Sequence, residues 1–179
     1  MSTLDQAIAA TTTIVDAHTH LFPPEVIVGR ERFLASDSWF SELFGHPKAI
    51  MVGLDELLAS MDEAGIDQSV VCGWPWRDPG LCREHNAYLA EIAADSAGRI
   101  AWLGIVSPAS PKAAAEALAC FERGAVGLGE FNADAQGFAW DEAGPLDEVV
   151  NACETAKRPL LLHCSEPVGH SYPGKGRAT

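Results

Sequence analysis

The sequence predicts an α/β fold of the TIM (β/α)8-barrel type, of which its 179 residues supply about the first five βα units. Five short apolar segments alternate with segments in which apolar residues recur at helical spacing, and this alternation is typical of a parallel sheet buried on both faces. Polar residues stand at the ends of three apolar segments, where the catalytic residues of a barrel collect. A complete barrel typically needs about 250 residues, so we expect one partial barrel domain over residues 1–179.

A doubly wound open sheet of five strands is the alternative architecture. The sequence ends in a loop, Gly174 to Thr179, with no helical pattern after the fifth apolar segment. The fifth strand of an open sheet would then have little to cover it, so the partial barrel is favoured.

The first predicted strand lies within Ile14 to Phe22 and ends in two histidines. Residues 21–52 then form an inserted segment that opens with two prolines. Four of its apolar side chains have the spacing of one face of a short helix: Trp39, Phe40, Leu43 and Phe44. We expect this lid-like segment either to lie over the barrel mouth or to pack its aromatic residues onto the domain.

The remaining chain predicts four helix–strand units. The four strands are apolar runs, at residues 69–72, 100–106, 125–130 and 159–163. The helices before them have apolar residues at helical spacing together with start or stop residues. The first helix begins at Leu54 and stops at Gly65, and the second runs through Tyr88 and Ile92 and stops at Gly98. The third begins at Ser110-Pro111 and ends at Gly124, and the fourth begins at Pro145 and runs through Cys153.

Composition bounds the choice of partners and compartment. The formal net charge of −13 argues against a nucleic-acid partner, because phosphates require a basic surface. We expect no signal peptide, and no apolar run is long enough to cross a bilayer. Five cysteines without C-x-x-C spacing fit a reducing compartment, so a cytoplasmic location is expected. A homo-oligomer of the full-length protein is left open.

Histidine and carboxylate side chains stand at the predicted strand ends. His18 and His20 end strand one, and residues two apart on a strand point to the same face. Glu130 ends strand four and His163 ends strand five. Because these ends open onto one mouth in a barrel, the four residues are candidate ligands for zinc, manganese or iron. The alternatives are a solvated charge for Glu130 and a core histidine for His163.

Four further residues are candidates for supporting the metal or contacting a substrate: Asp16, Trp74, Asn132 and His170. Asp16 either accepts the second ring proton of a ligand histidine or makes only a strand-end hydrogen bond. Trp74 either lines the pocket or packs beneath the insertion. Asn132 either offers hydrogen bonds to the substrate or serves a turn. His170, on the loop after strand five, is placed to contact a substrate carboxylate or hydroxyl.

Other chemistries lack their motifs. The segment Gly174-Lys175-Gly176 is no P-loop, because Lys175 is not followed by Ser or Thr. Neither a G-x-S-x-G elbow nor a dinucleotide fingerprint occurs. Cys164 follows His163 and points to the opposite face of a strand, so we expect it to be buried.

These motifs resemble the N-terminal part of an amidohydrolase-superfamily protein, in the amidohydrolase-related (amidohydrolase 2-type) branch of metal-dependent (β/α)8 hydrolases, which also contains aromatic-acid decarboxylases. The resemblance runs along nearly the whole chain, and its most specific parts are the H-x-H pair and the strand-five histidine. The matching stretches are Asp16 to Pro23, Leu57 to Asp67, Gly127 to Asn132 and Pro159 to His163.

The resemblance implies a divalent metal ion, with zinc expected and manganese or iron as alternatives. The ion would lower the pKa of a bound water to about 7 and polarise a substrate carbonyl, with His18, His20, Glu130 and His163 as its ligands. Many members have a carboxylated lysine where this chain has Glu130, so one or two metals are possible. The family's strand-six histidine and its acid/base aspartate are expected beyond Thr179.

The expected function is a metal-dependent hydrolase of C–N or C–O bonds in a small cyclic or carboxylated molecule. The alternative on the same scaffold is a lyase that decarboxylates an aromatic or unsaturated acid without oxidation. A third expectation is that the 179-residue chain alone is an inactive truncated fragment, with an open strand edge and low stability.

Overall fold

The computed structural model describes residues 13–140, 144, 146–165, 168–172 and 175. Five parallel strands lie side by side in one sheet, in chain order. They are β1 (Val15–Thr19), β2 (Gln68–Cys72), β3 (Ile100–Gly104), β4 (Gly127–Phe131) and β5 (Leu160–Leu162). All five predicted strands are present, with ends that differ by at most three residues from those predicted.

Eight helices occur within the described ranges. Three short ones form the insertion after β1: α1 (Pro24–Val28), α2 (Arg30–Ser36) and α3 (Ser38–Phe44). Four longer ones connect successive strands: α4 (Leu54–Ala64), α5 (Pro79–Asp95), α6 (Ala113–Glu122) and α8 (Asp147–Ala156). A single turn, α7 (Ala133–Gln136), follows β4.

The strand order rules out the doubly wound alternative, in which the order reverses at a switch point and some consecutive strands are not neighbours. Here each strand pairs with the strands before and after it in sequence. The sheet also curls: the Gly73 N–H donates to the carbonyl oxygens of Leu103, 3.2 Å away, and Gly129, 3.0 Å away. The ends of β2 and β4 therefore meet past the end of β3, and the sheet forms a curled half-barrel.

The hydrophobic core lies between the sheet and its helices. Its largest side chains, each less than 2% exposed, include Trp76, Trp102 and Phe131. At the two edges of the sheet, Val15 of β1 and Leu162 of β5 stay 46% and 41% exposed. No helix in the described ranges is both long and apolar enough to cross a bilayer.

The starts of α5 and α6 differ from those predicted. α5 begins at Pro79, well before the predicted apolar stretch, because the Asp78 side chain caps its first turn by accepting from two backbone N–H groups. The predicted start of α6 at Ser110-Pro111 is wrong. The Ser110 carbonyl instead accepts from the Ala113 N–H at 3.0 Å, which closes a turn before the helix.

Gly65 and Gly124 lie within two residues of the ends of α4 and α6, as predicted, whereas α5 ends at Asp95, three residues before the predicted stop at Gly98. Gly65 ends α4 with φ 70°, in the left-handed region that glycine adopts without strain. Pro145, the predicted start of the fourth helix, lies outside the described residues, and α8 begins at Asp147.

The insertion contains three short helices where the sequence predicted one. In α3, Trp39 and Phe40 are buried, as the predicted helix face requires. The Asp37 carboxylate caps α3 by accepting from the Phe40 N–H at 2.8 Å. The Arg30 guanidinium fixes the chain where it leaves α3. It donates to the backbone carbonyl of Phe44, the last residue of α3, and to those of His46 and Ala49. That the insertion acts as a lid stays a prediction.

His85 of α5 is a fully buried neutral histidine. Its Nδ1 accepts from the Trp76 Nε1–H at 3.1 Å, and its Nε2 lies 3.1 Å from the Leu21 carbonyl oxygen, to which it donates. Burial lowers the pKa of His85 from 6.5 to about 4, because the lost hydration of the charged ring outweighs the hydrogen bond to the Leu21 carbonyl. His85 is therefore part of the core.

This pKa makes stability depend on pH. Between pH 6.5 and about 4 the unfolded chain binds a proton at His85 that the folded chain does not, so stability falls as the pH falls. From pH 7 to 4.5 the loss from this group is about 2 kcal/mol. His85→Gln can keep both hydrogen bonds but does not titrate. Between pH 7 and 4.5 its free energy of unfolding is therefore expected to fall by about 2 kcal/mol less than that of the wild type. Urea unfolding with EDTA at both pH values measures the difference; equal losses would contradict the assignment.

Candidate metal centre

Two irregular pairings lie where the sheet meets the candidate ligands. Over Asp16–Thr19, β1 advances three residues while the paired part of β2 advances two. Over Leu128–Phe131, β4 advances three residues while the paired part of β5 advances two. An extra residue of this kind bends a strand and re-aims its side chains. The two irregular stretches contain His18 and Glu130.

Three side chains converge at the carboxyl ends of these strands. The Nε2 atoms of His18 and His20 lie 3.2 Å apart. The Glu130 Oε2 lies 3.1 Å from the first and 3.2 Å from the second. Three potential donor atoms therefore form a nearly equilateral triangle.

The triangle fits a divalent metal ion. Donors about 2.1 Å from one ion lie about 3.0 Å apart at 90° and about 3.4 Å apart at the tetrahedral angle. The observed separations fall between these values. With a proton on Nε2, either histidine can donate to Glu130; with the ring protons on Nδ1, the two Nε2 lone pairs and the carboxylate oxygen form a donor set that suits a cation. His18, His20 and Glu130 are the residues that could hold it.

His163 contacts the same carboxylate from the other side. Its Nδ1 lies 2.8 Å from the Glu130 Oε1, so it is not a member of the three-residue group. Its predicted role as a fourth ligand stays a prediction. The contact nevertheless joins β5 to the centre.

Glu130 is the electrostatic centre of the cluster, and its side chain is only 12% exposed. Burial by itself raises the pKa of this carboxyl group. The hydrogen bonds from His163 and His20 outweigh burial and hold the pKa of Glu130 well below its ordinary value of 4.5. The carboxylate is therefore ionised and ready to bind a cation.

Two glycines of β4 allow the close approach to β5 that places Glu130 beside His163. A Cβ atom on Gly127 would lie 2.6 Å from the Pro159 carbonyl oxygen. Gly129 has φ +136°, and a Cβ atom there would lie 2.6 Å from the Leu161 carbonyl oxygen. The residue before Glu130 must therefore be glycine for both its backbone angle and its contact.

A pocket of about 120 Å³ opens beside the cluster. Its polar lining consists of His20, Glu130, Asn132 and His163. Its apolar lining consists of Trp39 and Leu43 from α3, and Trp74 and Pro75 after β2. Trp39 stands edge-on to the His163 ring at 6.3 Å, and Trp74 stands edge-on to the His20 ring at 5.9 Å. The aromatic residues of the insertion thus reach the candidate site.

The other proposed site residues lie in different surroundings. Asp16 accepts from the backbone N–H of His18 at 3.2 Å, while the His20 Nδ1 is buried without a partner among the described residues. Trp74 both lines the pocket and packs on Phe22, Phe40 and Phe44 of the insertion side, so both predicted roles are present.

His170 and Cys164 stand apart from the pocket lining. His170 is exposed, and its ring lies 5.9 Å from that of Tyr172. Its predicted substrate contact stays a prediction. Cys164 is exposed, so the expectation that it is buried is wrong. β5 ends at Leu162, and the alternation of a strand no longer applies at residue 164.

Sequence reasoning missed Gln136, which is 2% exposed in α7. Its Nε2 donates to the carbonyl oxygens of Trp76 and Val106, and its Oε1 accepts from the Asn132 N–H. Gln136 therefore ties the loops after β2, β3 and β4 together beneath the pocket. A lone glutamine in a four-residue helix has no periodic signal that could have identified it.

The sequence model of the amidohydrolase family matches residues 15–178. Among curated proteins, no significant match was found. Solved structures with the same fold include the 5-carboxyvanillate decarboxylase of Novosphingobium aromaticivorans, complexed with manganese and 4-hydroxy-3-methoxy-5-nitrobenzoic acid. It is 21% identical, with a TM-score of 0.70 over 88% of this chain and 52% of its own.

Two further structures have the same relation. The 2,6-dihydroxybenzoate decarboxylase from Rhizobium is 22% identical, with a TM-score of 0.60 over 88% of this chain and 51% of its own. A Staphylococcus aureus protein described as an amidohydrolase is 20% identical, with a TM-score of 0.62 over 88% of this chain and 49% of its own. The chain spans about half the length of each structure, and the shared fold confirms the partial barrel.

Removing the two histidines tests the cluster directly. We expect His18→Ala combined with His20→Ala to lower Mn²⁺ and Zn²⁺ affinity by more than about 100-fold, because loss of a supporting residue alone can cost that much. Isothermal titration calorimetry of the metal-free chain measures this. His46→Ala is the control, because His46 is exposed and outside the cluster. Unchanged metal content in the double variant would refute the ligand assignment.

The glycine before Glu130 supplies a second prediction. Gly129→Ala is expected to lower the free energy of unfolding by about 2–4 kcal/mol through backbone strain and overpacking, and to weaken Mn²⁺ binding by displacing the carboxylate. Gly98→Ala is the control, because Gly98 has φ +87° with nothing within 4 Å. It is expected to cost about 1–2 kcal/mol and to leave metal binding unchanged. Urea unfolding and calorimetry separate the two effects; equal metal affinity in both variants would contradict the prediction.

Proposed function

The chain belongs to the amidohydrolase family, and on that premise we propose that it supplies the metal-binding half of the active site of a decarboxylase acting on an aromatic carboxylic acid. The observation that carries the proposal is that the pocket beside the candidate metal centre has aromatic walls, and this part of the pocket is called the aromatic slot. Trp39 and Trp74 line the same pocket as His20 and Glu130. A ring in that slot would have its carboxylate within reach of a bound cation.

The size of the slot supports a small aromatic molecule. Its volume is about 120 Å³, and an engineered cavity of about 150 Å³ is known to bind benzene. Pockets for small molecules combine apolar walls with a few polar groups that fix orientation. The pocket here has that composition, with Leu43 and Pro75 completing the apolar part.

A divalent ion held by His18, His20 and Glu130 would supply positive charge for binding a carboxylate and for stabilising negative charge that develops in the reaction. Glu130 stays ionised, since its pKa is held well below the ordinary range. His163 fixes the orientation of that carboxylate through the 2.8 Å contact with its Oε1. These residues would hold and orient the ion that binds the substrate carboxylate.

Decarboxylation breaks the bond between the ring and the carboxyl carbon. The bonding electron pair stays on the ring carbon, which then takes a proton, and carbon dioxide leaves. The described residues do not identify the proton donor. The family resemblance places it on an aspartate expected beyond Thr179, and that stays a prediction.

We propose manganese as the preferred metal, in place of the zinc expected from the resemblance. The decarboxylase from Novosphingobium was solved with manganese. The separations of 3.1–3.2 Å between the donor atoms are compatible with an octahedral or a tetrahedral ion. Calorimetry with each metal decides between them.

Hydrolysis is the second candidate, as first expected from the sequence. The same histidine–carboxylate group that holds an ion for a decarboxylase can hold one that activates water. The fold neighbours favour the decarboxylase, because two of those described above are named for that reaction.

Product analysis tests the proposal. The product of the complete reading frame, loaded with Mn²⁺, is incubated with single-ring aromatic acids in water enriched in oxygen-18. We expect carbon dioxide to form in proportion to the acid consumed, with no oxygen-18 in the organic product. The His18→Ala and His20→Ala double variant is expected to lose at least about 100-fold in kcat/KM, because charge stabilisation is a large part of catalysis. Oxygen-18 in the organic product without carbon dioxide would instead establish hydrolysis.

A further inference from the structure

Asn132 is a buried amide at the edge of the metal pocket. It directly follows β4, is 2% exposed, and lines the pocket with Glu130 and Trp74. Its Oδ1 accepts from the Ala135 N–H at 3.0 Å and so caps α7. This hydrogen bond fixes which end of the amide faces the helix, so the Nδ2 end faces away from it.

The backbone of Asn132 is equally fixed. Its N–H donates to the Gln136 Oε1 at 3.3 Å. Gln136 in turn donates to the Val106 carbonyl oxygen at 2.9 Å and to that of Trp76 at 3.3 Å. Asn132 is therefore held by the loops after β2 and β3 as well as by its own helix.

The Nδ2 group of Asn132 makes no hydrogen bond to any residue that the structure describes. Capping does not require it, because Ser, Thr and Asp cap helices through an oxygen alone. Two other donors at the pocket, unlike the Asn132 Nδ2, are fully enclosed. Within the described ranges, the Nε1–H of Trp74 has no acceptor. The His20 Nδ1, which carries the ring proton when Nε2 faces a metal, also has no acceptor among the described residues.

An excess of N–H donors over acceptors is a recognition feature, since a buried donor without an acceptor is costly and a ligand that supplies one gains the difference. We propose that Asn132 is a specificity-determining residue, whose Nδ2 donates to an oxygen substituent of a ring held between Trp39 and Trp74. The inference rests on the proposed function for the site as an aromatic-acid pocket. It adds that the bound ring has a hydrogen-bond acceptor besides its carboxylate.

A purely structural role for Asn132 predicts something different. The cap and the tie to Gln136 use only its Oδ1 and its backbone. If these were its whole role, Asn132→Asp would leave ligand preference unchanged, because aspartate keeps the cap and the shape. If Nδ2 contacts the ligand, the same variant removes the donor.

The test compares benzoate with 2-, 3- and 4-hydroxybenzoate on the Mn²⁺-loaded 179-residue chain. Binding is measured by the broadening of ligand proton NMR signals near the paramagnetic ion, which does not require turnover. Broadening must vanish in the His18→Ala and His20→Ala double variant, so that it reports on this site. Both ligand types have one carboxylate at pH 7, so the charge introduced by Asn132→Asp cancels in the ratio of their affinities.

We expect at least one hydroxybenzoate to bind about 5- to 10-fold more tightly than benzoate, the effect of one added hydrogen bond. Asn132→Asp is expected to bring that ratio close to one. Asn132→Ser, which keeps the cap without adding charge, should do the same. Asp78→Asn is the matched control, because it exchanges the same two side chains at the cap of α5, outside the pocket lining. It is expected to keep the ratio.

A ratio that Asn132→Asp and Asn132→Ser leave unchanged overturns the inference, and so does a wild-type ratio near one. In both cases the benzoates still bind, and the proposed function stands. Failure of all four acids to bind the Mn²⁺-loaded chain would overturn the proposed aromatic-acid function itself, and this inference with it.

Discussion

The Glu130 carboxylate is the interaction on which the candidate site depends. One oxygen meets the two histidines of the first strand, and the other meets His163 after the fifth. A single ionised group therefore joins both ends of a sheet whose outer strands do not pair with each other in the described residues. A buried carboxylate is costly unless hydrogen bonds or a cation compensate for its lost hydration. The histidines meet that requirement, and together they create a place where a cation is stabilised.

The backbone makes this arrangement possible through two local departures from regular pairing. A regular parallel ladder would alternate side chains strictly, and each departure supplies one extra residue near a ligand. In β4 the irregular stretch contains Gly129, whose positive φ and close contact with Leu161 exclude any side chain. The metal centre therefore depends on where β4 is irregular as much as on which residues ligate.

The sequence could predict the strands and the convergence of His18, His20 and Glu130, because both follow from short-range patterns. An apolar run followed by histidine or glutamate identifies a strand end, and in a parallel barrel all such ends share one face. The start of α6 was mispredicted because Ser110 can close a turn as readily as cap a helix. Gln136 and Arg30 could not be found, because their partners are backbone carbonyls brought near only by the fold.

Binding and proton transfer are separable in this architecture. The described residues contain the cation-binding group, the aromatic walls and the fixed amide of Asn132, all of which act before any bond breaks. Under the proposed function, none of these contacts depends on the proton donor. On the same proposal, metal affinity, ligand affinity and ligand preference would be properties of the strands seen here, whereas turnover would also require a group that delivers a proton. If the chain bound the metal and the ligands with the expected preference but did not turn them over, the missing function would be proton transfer. The assignment of the metal centre would then stand.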